Sequence, residues 1–208
     1  MNKNQTQVQP RKRFTTNYMV KIAILGALAR IIMFFEFPLP IFPAFLKMDF
    51  SDLIVLIGAL AMGPVAGILI EFVKCFIHLF GSTTGGVGSL ATLIVGSAYA
   101  GVTGWYYQKH KNKKGAITGM LLGTAAMIVA GAAVNYWITI PLYGLVMGWS
   151  TEMIVGMGSK ITPLIHDKFT LILFAFCPFN LMKGAVITVI ALPLYKKVSP
   201  LLKKGLLG

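Results

Sequence analysis

The chain has 208 residues, of which 56% are hydrophobic and only 12% are charged, and its mean hydropathy is +0.76. A soluble domain carries about 25% charged residues, so a soluble enzyme, a secreted disulfide scaffold and a disordered chain are excluded. The net charge of +13 predicts membrane topology and no nucleic-acid partner, because the basic residues of membrane proteins gather on the cytoplasmic side. We therefore expect an all-α integral membrane protein.

The N-terminal region predicts a basic tail followed by a membrane span. Residues 1–16 are polar and read as a cytosolic tail, and the apolar stretch 18–35 is long enough to cross the bilayer. No small-residue cleavage site follows it, so it is not a signal peptide. The next segment contains Pro38, Pro40 and Pro43, which deny it a regular helix.

The apolar stretch 53–80 is interrupted at Gly63 and Pro64, and by itself it could be one long kinked helix or a hairpin of two short ones. Charge decides between them. Twelve of the 19 basic residues fall in three clusters: Lys3 with Arg11, Lys12 and Arg13; Lys109, Lys111, Lys113 and Lys114; and Lys196, Lys197, Lys203 and Lys204. All three clusters lie on the cytoplasmic side only if the stretch is a hairpin.

This topology predicts six transmembrane helices with both termini cytoplasmic. The spans are expected at about 18–35, 50–63, 64–80, 89–107, 116–140 and 169–195. Residues 17–197 then form the membrane domain, and residues 198–208 form a second cytosolic basic tail. The arms of the hairpin are short for a bilayer, so we expect neighbouring helices to shield them.

Three segments are expected on the outer side: 36–52, the glycine-rich 81–88 and the long connection 141–168, which predicts a short surface helix or a lid. Among the carboxylates only Glu71 is expected deep in a span, where it forms a structural pair with Lys74 three residues on. The aromatic residues expected in an interfacial belt are Phe42, Phe45, Tyr143 and Trp149.

Polar residues inside apolar spans are candidates for function, because their burial is costly. Asn180 and Lys183 are three residues apart and share one helix face, where they could bind carbonyl oxygens and ring nitrogens of a planar ligand. Alternatively, Lys183 snorkels to the interface and Asn180 bonds a neighbouring carbonyl. Asn135, taken alone, is typical of an interhelical hydrogen bond.

Several chemistries have no motif in this chain. A GxxxxGK[ST] phosphate loop, an HExxH pair and a GxSxG nucleophile are all missing from the sequence. The three histidines occur singly and the two cysteines lie in apolar stretches, so no metal site and no cofactor are expected. The chain therefore has no ATPase motif of its own and none of these enzyme motifs.

Three stretches of the chain carry a family resemblance. They are FPLPIFPAFLKMDFSDLIVLIGALAMGPVAGILIEFVK, NYWITIPLYG and CPFNLMKGAVITVIALPLYKK. Together with an alanine motif in AILGA, they resemble the substrate-specific S component of energy-coupling factor (ECF) vitamin transporters, and in particular its riboflavin-binding branch. The likeness runs from about Tyr18 to Lys197, and residues 81–88 depart from it.

The resemblance implies an S-component fold in a prokaryotic cytoplasmic membrane. It implies riboflavin as transported ligand, and a transmembrane coupling protein with two ATPases as partners alongside membrane lipids. The residues that it assigns to substrate are Lys47, Met48 (backbone), Asp49, Asn135, Tyr143, Asn180 and Lys183. The residues that it assigns to partner docking are Ala23 and Ala27.

Alternatives remain open at this point. The chain could serve a different vitamin or a flavin nucleotide within the same family. An integral membrane enzyme acting on lipids would need a nucleophile with a base, or a metal cluster, and neither is indicated. A channel or a secondary transporter would be expected to carry more buried carboxylates than Glu71 alone.

Overall fold

A computed structural model describes the backbone of residues 15–203 and the side chains of residues 15–197. The predicted tail residues 1–14 and 204–208 lie outside the described residues. The elements in chain order are α1 (Thr16–Met33), β1 (Phe37–Pro38), β2 (Lys47–Met48), α2 (Ser51–Met62), α3 (Pro64–Leu79), α4 (Val87–Lys109), α5 (Lys113–Val134), a first π-helical segment π1 (Asn135–Thr139), α6 (Ile140–Met147), α7 (Thr151–Ser159), α8 (Lys168–Leu171), a second π-helical segment π2 (Ile172–Phe176) and α9 (Cys177–Lys203).

The stretch 53–80 is an antiparallel hairpin, as charge predicted. Gly63 separates α2 from α3 with a φ of 106°, a conformation that favours glycine, and Pro64 opens α3 without needing an N–H partner. Gly67 packs directly on Ala59, and Gly58 packs on Ile70 farther from the turn. The small residues let the two helices approach closely.

Helix α2 is the centre of the bundle. It contacts α1, α3, α4 and α9, and its buried residues include Val55, Leu56, Ala59 and Leu60. Its 12 residues reach only about 18 Å at about 1.5 Å per residue, well short of about 30 Å of hydrocarbon. The prediction that neighbours shield this arm of the hairpin is confirmed.

Among the described residues, four helical stretches are long and apolar enough to cross a membrane: Thr16–Met33, Val87–Lys109, Lys113–Met147 and Lys168–Lys197. Large apolar side chains cover their outer surfaces, including Ile24, Leu121, Val129, Trp137 and Val189. Ala23 and Ala27 are exposed on α1, which argues against internal packing of that patch. An apolar exterior of this kind is matched by lipid and not by water.

Two of these stretches contain a proline and a π-helical segment at the same spacing. Pro141 and Pro178 each follow a π segment by two residues, and in both places an N–H bonds the carbonyl five residues back. Because proline lacks an N–H and crowds the carbonyl four residues earlier, the wider turn relieves the conflict and lets the helix continue. The predicted end of the fifth span at residue 140 is therefore wrong, since the helix runs on to Met147.

The proline-rich segment after α1 forms a two-residue antiparallel ribbon in place of a helix. Phe37 pairs with Met48, and Pro38 pairs with Lys47. Between the two strands, the rings of Phe42 and Phe45 pack on the last long helical stretch. Phe42 meets Phe179 edge-on at 5.3 Å between ring centroids, and Phe45 lies 5.8 Å from Phe176. These contacts anchor the segment over the interior of the bundle.

The predicted short helix in the connection 141–168 is present as α7. Asp167 then begins α8 with a capping box, in which its carboxylate accepts the backbone N–H of Thr170 at 2.7 Å. That hydrogen bond, together with one from the Thr170 hydroxyl, holds the pKa of Asp167 below its usual range. The cap fixes where the last long helix starts.

Candidate ligand cavity

A cavity of about 470 Å³ lies between the β1–β2 segment and the helices. Pockets of about 300–1,000 Å³ bury most of a small organic ligand. Six of the seven predicted substrate residues line this cavity: Lys47, Asp49, Asn135, Tyr143, Asn180 and Lys183. Met48 does not line it, and its side chain is buried in β2. Residues from distant parts of the chain therefore meet in one site.

The ammonium group of Lys183 is bound to two carboxylates at one side of the cavity. Its Nζ lies 2.9 Å from Asp49 Oδ2 and 2.8 Å from Asp52 Oδ2, and all three residues are buried. The alternative that Lys183 snorkels to the interface is wrong, because these carboxylates hold it inside. The side chain still lines the cavity, so the third N–H of its ammonium group can reach a ligand.

A second buried lysine supports the same carboxylates from behind. Lys74 Nζ donates to Asp52 Oδ1 at 2.6 Å and to Ser51 Oγ at 3.1 Å, and it lies 2.8 Å from Glu71 Oε2. Ser51 in turn donates its hydroxyl and, at 2.8 Å, its backbone N–H to Asp49 Oδ1. We call Asp49, Ser51, Asp52, Lys74 and Lys183 the charge cluster, and Glu71 lies behind it on Lys74.

The predicted pair of Glu71 and Lys74 is confirmed. Glu71 is not the only buried carboxylate among the described residues, because Asp52 near the start of α2 is 2% exposed and Asp49 just before α2 is 3% exposed. Two buried ammonium groups pair these acids, which makes their burial possible.

Two amides from the π-containing stretches face each other across Gly131. Asn135 Nδ2 donates to the Gly131 carbonyl at 2.7 Å, within its own helical stretch, so the interhelical bond expected for Asn135 is not formed. Asn180 has no hydrogen bond with any described residue, so its expected bond to a neighbouring carbonyl is also missing. Its amide packs against Gly131 and borders the cavity. Amides in this position can donate to and accept from a polar ligand edge.

Aromatic rings and methionines supply most of the remaining wall. They come from the β1–β2 segment, from α5 to α7 and from the last long helix: Phe45, Met127, Tyr143, Met147, Trp149, Met157, Phe176 and Phe179. Tyr143 and Trp149 lie 5.5 Å apart between ring centroids. The expected interfacial belt of Phe42, Phe45, Tyr143 and Trp149 is therefore wrong, because Phe42 is buried and the other three line the cavity.

The rim of the cavity is polar. Lys47 forms a 2.7 Å ion pair with Glu36 across the base of the β1–β2 segment. The glycine-rich 81–88 loop adds Thr83 and Thr84, and its turn is closed by hydrogen bonds to the Ser82 hydroxyl. A polar rim above an aromatic interior suits a ligand with a hydroxylated end and a flat apolar body.

Sequence reasoning missed the partners of Lys183 and the contribution of the glycine-rich loop. One signal was available for the first, because the DFSD motif places Asp49, Ser51 and Asp52 together in a chain with only six acids. Buried lysines demand carboxylates, so Lys74 and Lys183 pointed toward that motif. No comparable signal pointed to Thr83 or Thr84.

Fold and site together define a multi-pass α-helical membrane protein that encloses a cavity of ligand size. Residues 17–195 match the family described as "ECF transporter, substrate-specific component". The chain belongs to this family, which places it in the prokaryotic cell membrane as a transporter component and not as an enzyme.

The relatives and a solved structure agree with this assignment. The chain is 33% identical to the riboflavin transporter FmnP of Bacillus subtilis (strain 168), over 88% of this chain and 92% of that protein. It is 28% identical to the riboflavin transporter RibU of Staphylococcus aureus (strain TCH60), over 89% of this chain and 92% of the relative. A structure titled "Structure and mechanism of the S component of a bacterial ECF transporter" superposes with a TM-score of 0.69 at 29% identity, covering 89% of this chain and 97% of the other.

Proposed function

We propose that this chain is the riboflavin-binding subunit of an ECF transporter and takes up riboflavin with a transmembrane coupling protein and two ATPases. The observation that carries the proposal is the Asn180 amide, which borders the cavity without a hydrogen-bond partner among the described residues. An amide in this position is free to donate to and accept from the polar edge of a ligand in the cavity. Relatives named as riboflavin transporters supply the identity of that ligand.

Riboflavin matches the distribution of polar and apolar groups in the cavity. Its flat ring fits between aromatic walls such as Phe45, Phe176 and Phe179. The carbonyls and nitrogens at the ring edge pair with Lys183, Asn180 and Asn135. The ribityl hydroxyls extend toward Lys47 at the polar rim, and Asp49 and Tyr143 in the cavity wall are the further proposed partners.

The topology proposed for transport has six membrane crossings with both termini cytoplasmic. The four long apolar stretches and the hairpin of α2 and α3 provide the six crossings. The basic residues between α4 and α5 then lie inside, and the cavity opens outward. Ala23 and Ala27 offer a smooth exposed patch on α1 for docking to the coupling protein.

The test is flavin binding by the purified protein. We expect the unchanged protein to carry a flavin absorption spectrum and to quench flavin fluorescence on titration. Lys183→Ala and Asn180→Ala should each weaken binding by about 1–3 kcal/mol, because each removes a ligand partner in a buried site. Asn180→Ala breaks no ion pair and therefore separates loss of ligand contact from damage to the charge cluster.

A second ligand tells which end of the flavin these residues contact. Lumiflavin has the same ring without the ribityl chain. If Asn180 pairs with the ring, Asn180→Ala should therefore lower the affinity for lumiflavin and for riboflavin by the same factor. Failure of the unchanged protein to bind any flavin would refute the proposed function. A loss of affinity for riboflavin but not for lumiflavin would place Asn180 at the ribityl end instead of the ring.

A further inference from the structure

Within the charge cluster, Lys74 has a different position from Lys183. Lys183 lines the cavity, whereas Lys74 is fully buried and does not. An ammonium group has three N–H donors, and Lys74 has three oxygen partners, on Asp52, Ser51 and Glu71. Because Lys74 is fully buried and does not line the cavity, its ammonium group does not reach a ligand. Any effect that it has on binding must pass through its partners.

Those partners are the groups that hold Lys183. Asp52 bridges the two lysines, with Oδ1 on Lys74 and Oδ2 on Lys183. Ser51 connects Lys74 to Asp49, whose other oxygen is bound to Lys183. Both carboxylates that fix the Lys183 ammonium group are thus fixed in turn by Lys74. The chain of contacts joins α3 through α2 to α9.

We infer that Lys74 is a positioning residue for ligand binding: it orients Asp52 and, through Ser51, Asp49, so that Lys183 keeps one N–H for the ligand. The inference rests on the proposed function, because the ligand is the flavin. It also specifies the ligand atom beside Lys183. That atom receives an N–H from the Lys183 ammonium group, so it is an acceptor, such as a ring carbonyl oxygen or ring nitrogen.

The test compares Lys74→Met with Glu71→Gln. Methionine keeps the unbranched shape of lysine and removes the charge and the donors. We expect Lys74→Met to weaken riboflavin binding at least fivefold, measured by fluorescence quenching. Glu71→Gln should leave binding within twofold, because Lys74 keeps Asp52 and Ser51. Equal losses in the two variants would contradict the inference.

A second background separates positioning from a general structural effect. In a Lys183→Met protein the positioned group is absent, so adding Lys74→Met should weaken binding less than twofold further. A purely structural role of Lys74 would instead lower the riboflavin affinity by the same factor in both backgrounds. That result would overturn the inference. The visible spectrum of the bound flavin adds a readout, because displacement of the Lys183 ammonium group in Lys74→Met and its removal in Lys183→Met should both shift that spectrum.

One variant guards against misfolding. Lys74→Met alone leaves three buried carboxylates against one ammonium group, whereas Glu71→Gln with Lys74→Met removes one charge of each sign. The double variant should fold and show the same loss of affinity as Lys74→Met. Wild-type affinity in the double variant would refute the positioning role of Lys74 and leave the proposed function standing. No flavin binding by the unchanged protein would refute the proposed function.

Discussion

Gly131 contacts both amides of the ligand cavity but does not itself line the cavity. Its carbonyl accepts the Asn135 amide at 2.7 Å, and its α-carbon packs against the Asn180 amide nitrogen. A methyl group at this position would overlap that nitrogen. We therefore expect Gly131→Ala to turn the Asn180 amide away from its place in the cavity.

The expected loss follows from the hydrogen bonds that Asn180 offers. Each is worth about 0.5–1.5 kcal/mol net, so losing two costs about 1–3 kcal/mol. That range corresponds to roughly a 5- to 150-fold higher Kd. Overpacking lowers the free energy of unfolding by about 1–3 kcal/mol. About 0.5–1 kcal/mol of this is offset because alanine favours a helix more than glycine does. Stability should thus change less than binding.

Fluorescence quenching of riboflavin measures the Kd, and thermal unfolding without ligand measures the stability. Gly156→Ala on α7 is the matched control, because a methyl group there meets no atom within 4 Å. In an Asn180→Ala background, Gly131→Ala should cost no further affinity, since the overlapping amide is gone. Wild-type affinity in Gly131→Ala would refute the role that we assign to Asn180.

Three further predictions test topology, docking and local stability. With the native cysteines replaced, cysteines at Asn112 and Ser150 should be labelled only from the cytosol and only from outside, respectively; labelling from the same side would contradict six spans. Replacing both Ala23 and Ala27 with tryptophan should abolish ATP-dependent uptake while riboflavin affinity stays unchanged; joint loss would assign the patch to folding. The lowered pKa of Asp167 means that its cap stabilises the protein fully above about pH 4, the usual range for aspartate, and that this stabilisation is lost as the pH falls through the lower folded pKa. The difference in Tm between wild type and Asp167→Asn should therefore shrink in acid.

The sequence predicted most of the helical framework, because hydrophobic length and basic clusters are local signals. The break at Gly63 and Pro64 could be read from two adjacent residues, and the structure has it there. Helix ends near prolines were harder to predict. The fifth span was expected to end at about residue 140, just before Pro141, whereas a π segment before that proline lets the helix continue to Met147.

Candidate residues of the site could be named from the sequence, but which residues pair with each other was not predicted, although the DFSD motif offered a signal for Lys183. Lys183 stood out as a charge in an apolar span, and spacing paired it with Asn180. Its actual ion partners, Asp49 and Asp52, lie more than 130 residues earlier in the chain. Sequence separation of that size carries no local pattern, and the pairing emerges only when α2 packs against α9. The same reason hid the cavity-lining role of Phe45 and Trp149.

The irregular helices and the polar cavity are two consequences of one arrangement. A membrane interior tolerates wide turns and unpaired amides only where they are buried in protein or border a cavity. Both π segments meet that condition, since they contact each other and contribute Asn135 and Phe176 to the cavity wall. Asn180 follows the second proline by two residues, and Tyr143 follows the first by the same distance. The two proline-linked turns therefore place equivalent positions of two long helices on the cavity, and a ligand that pairs with Asn180 stabilises the packing that keeps them there.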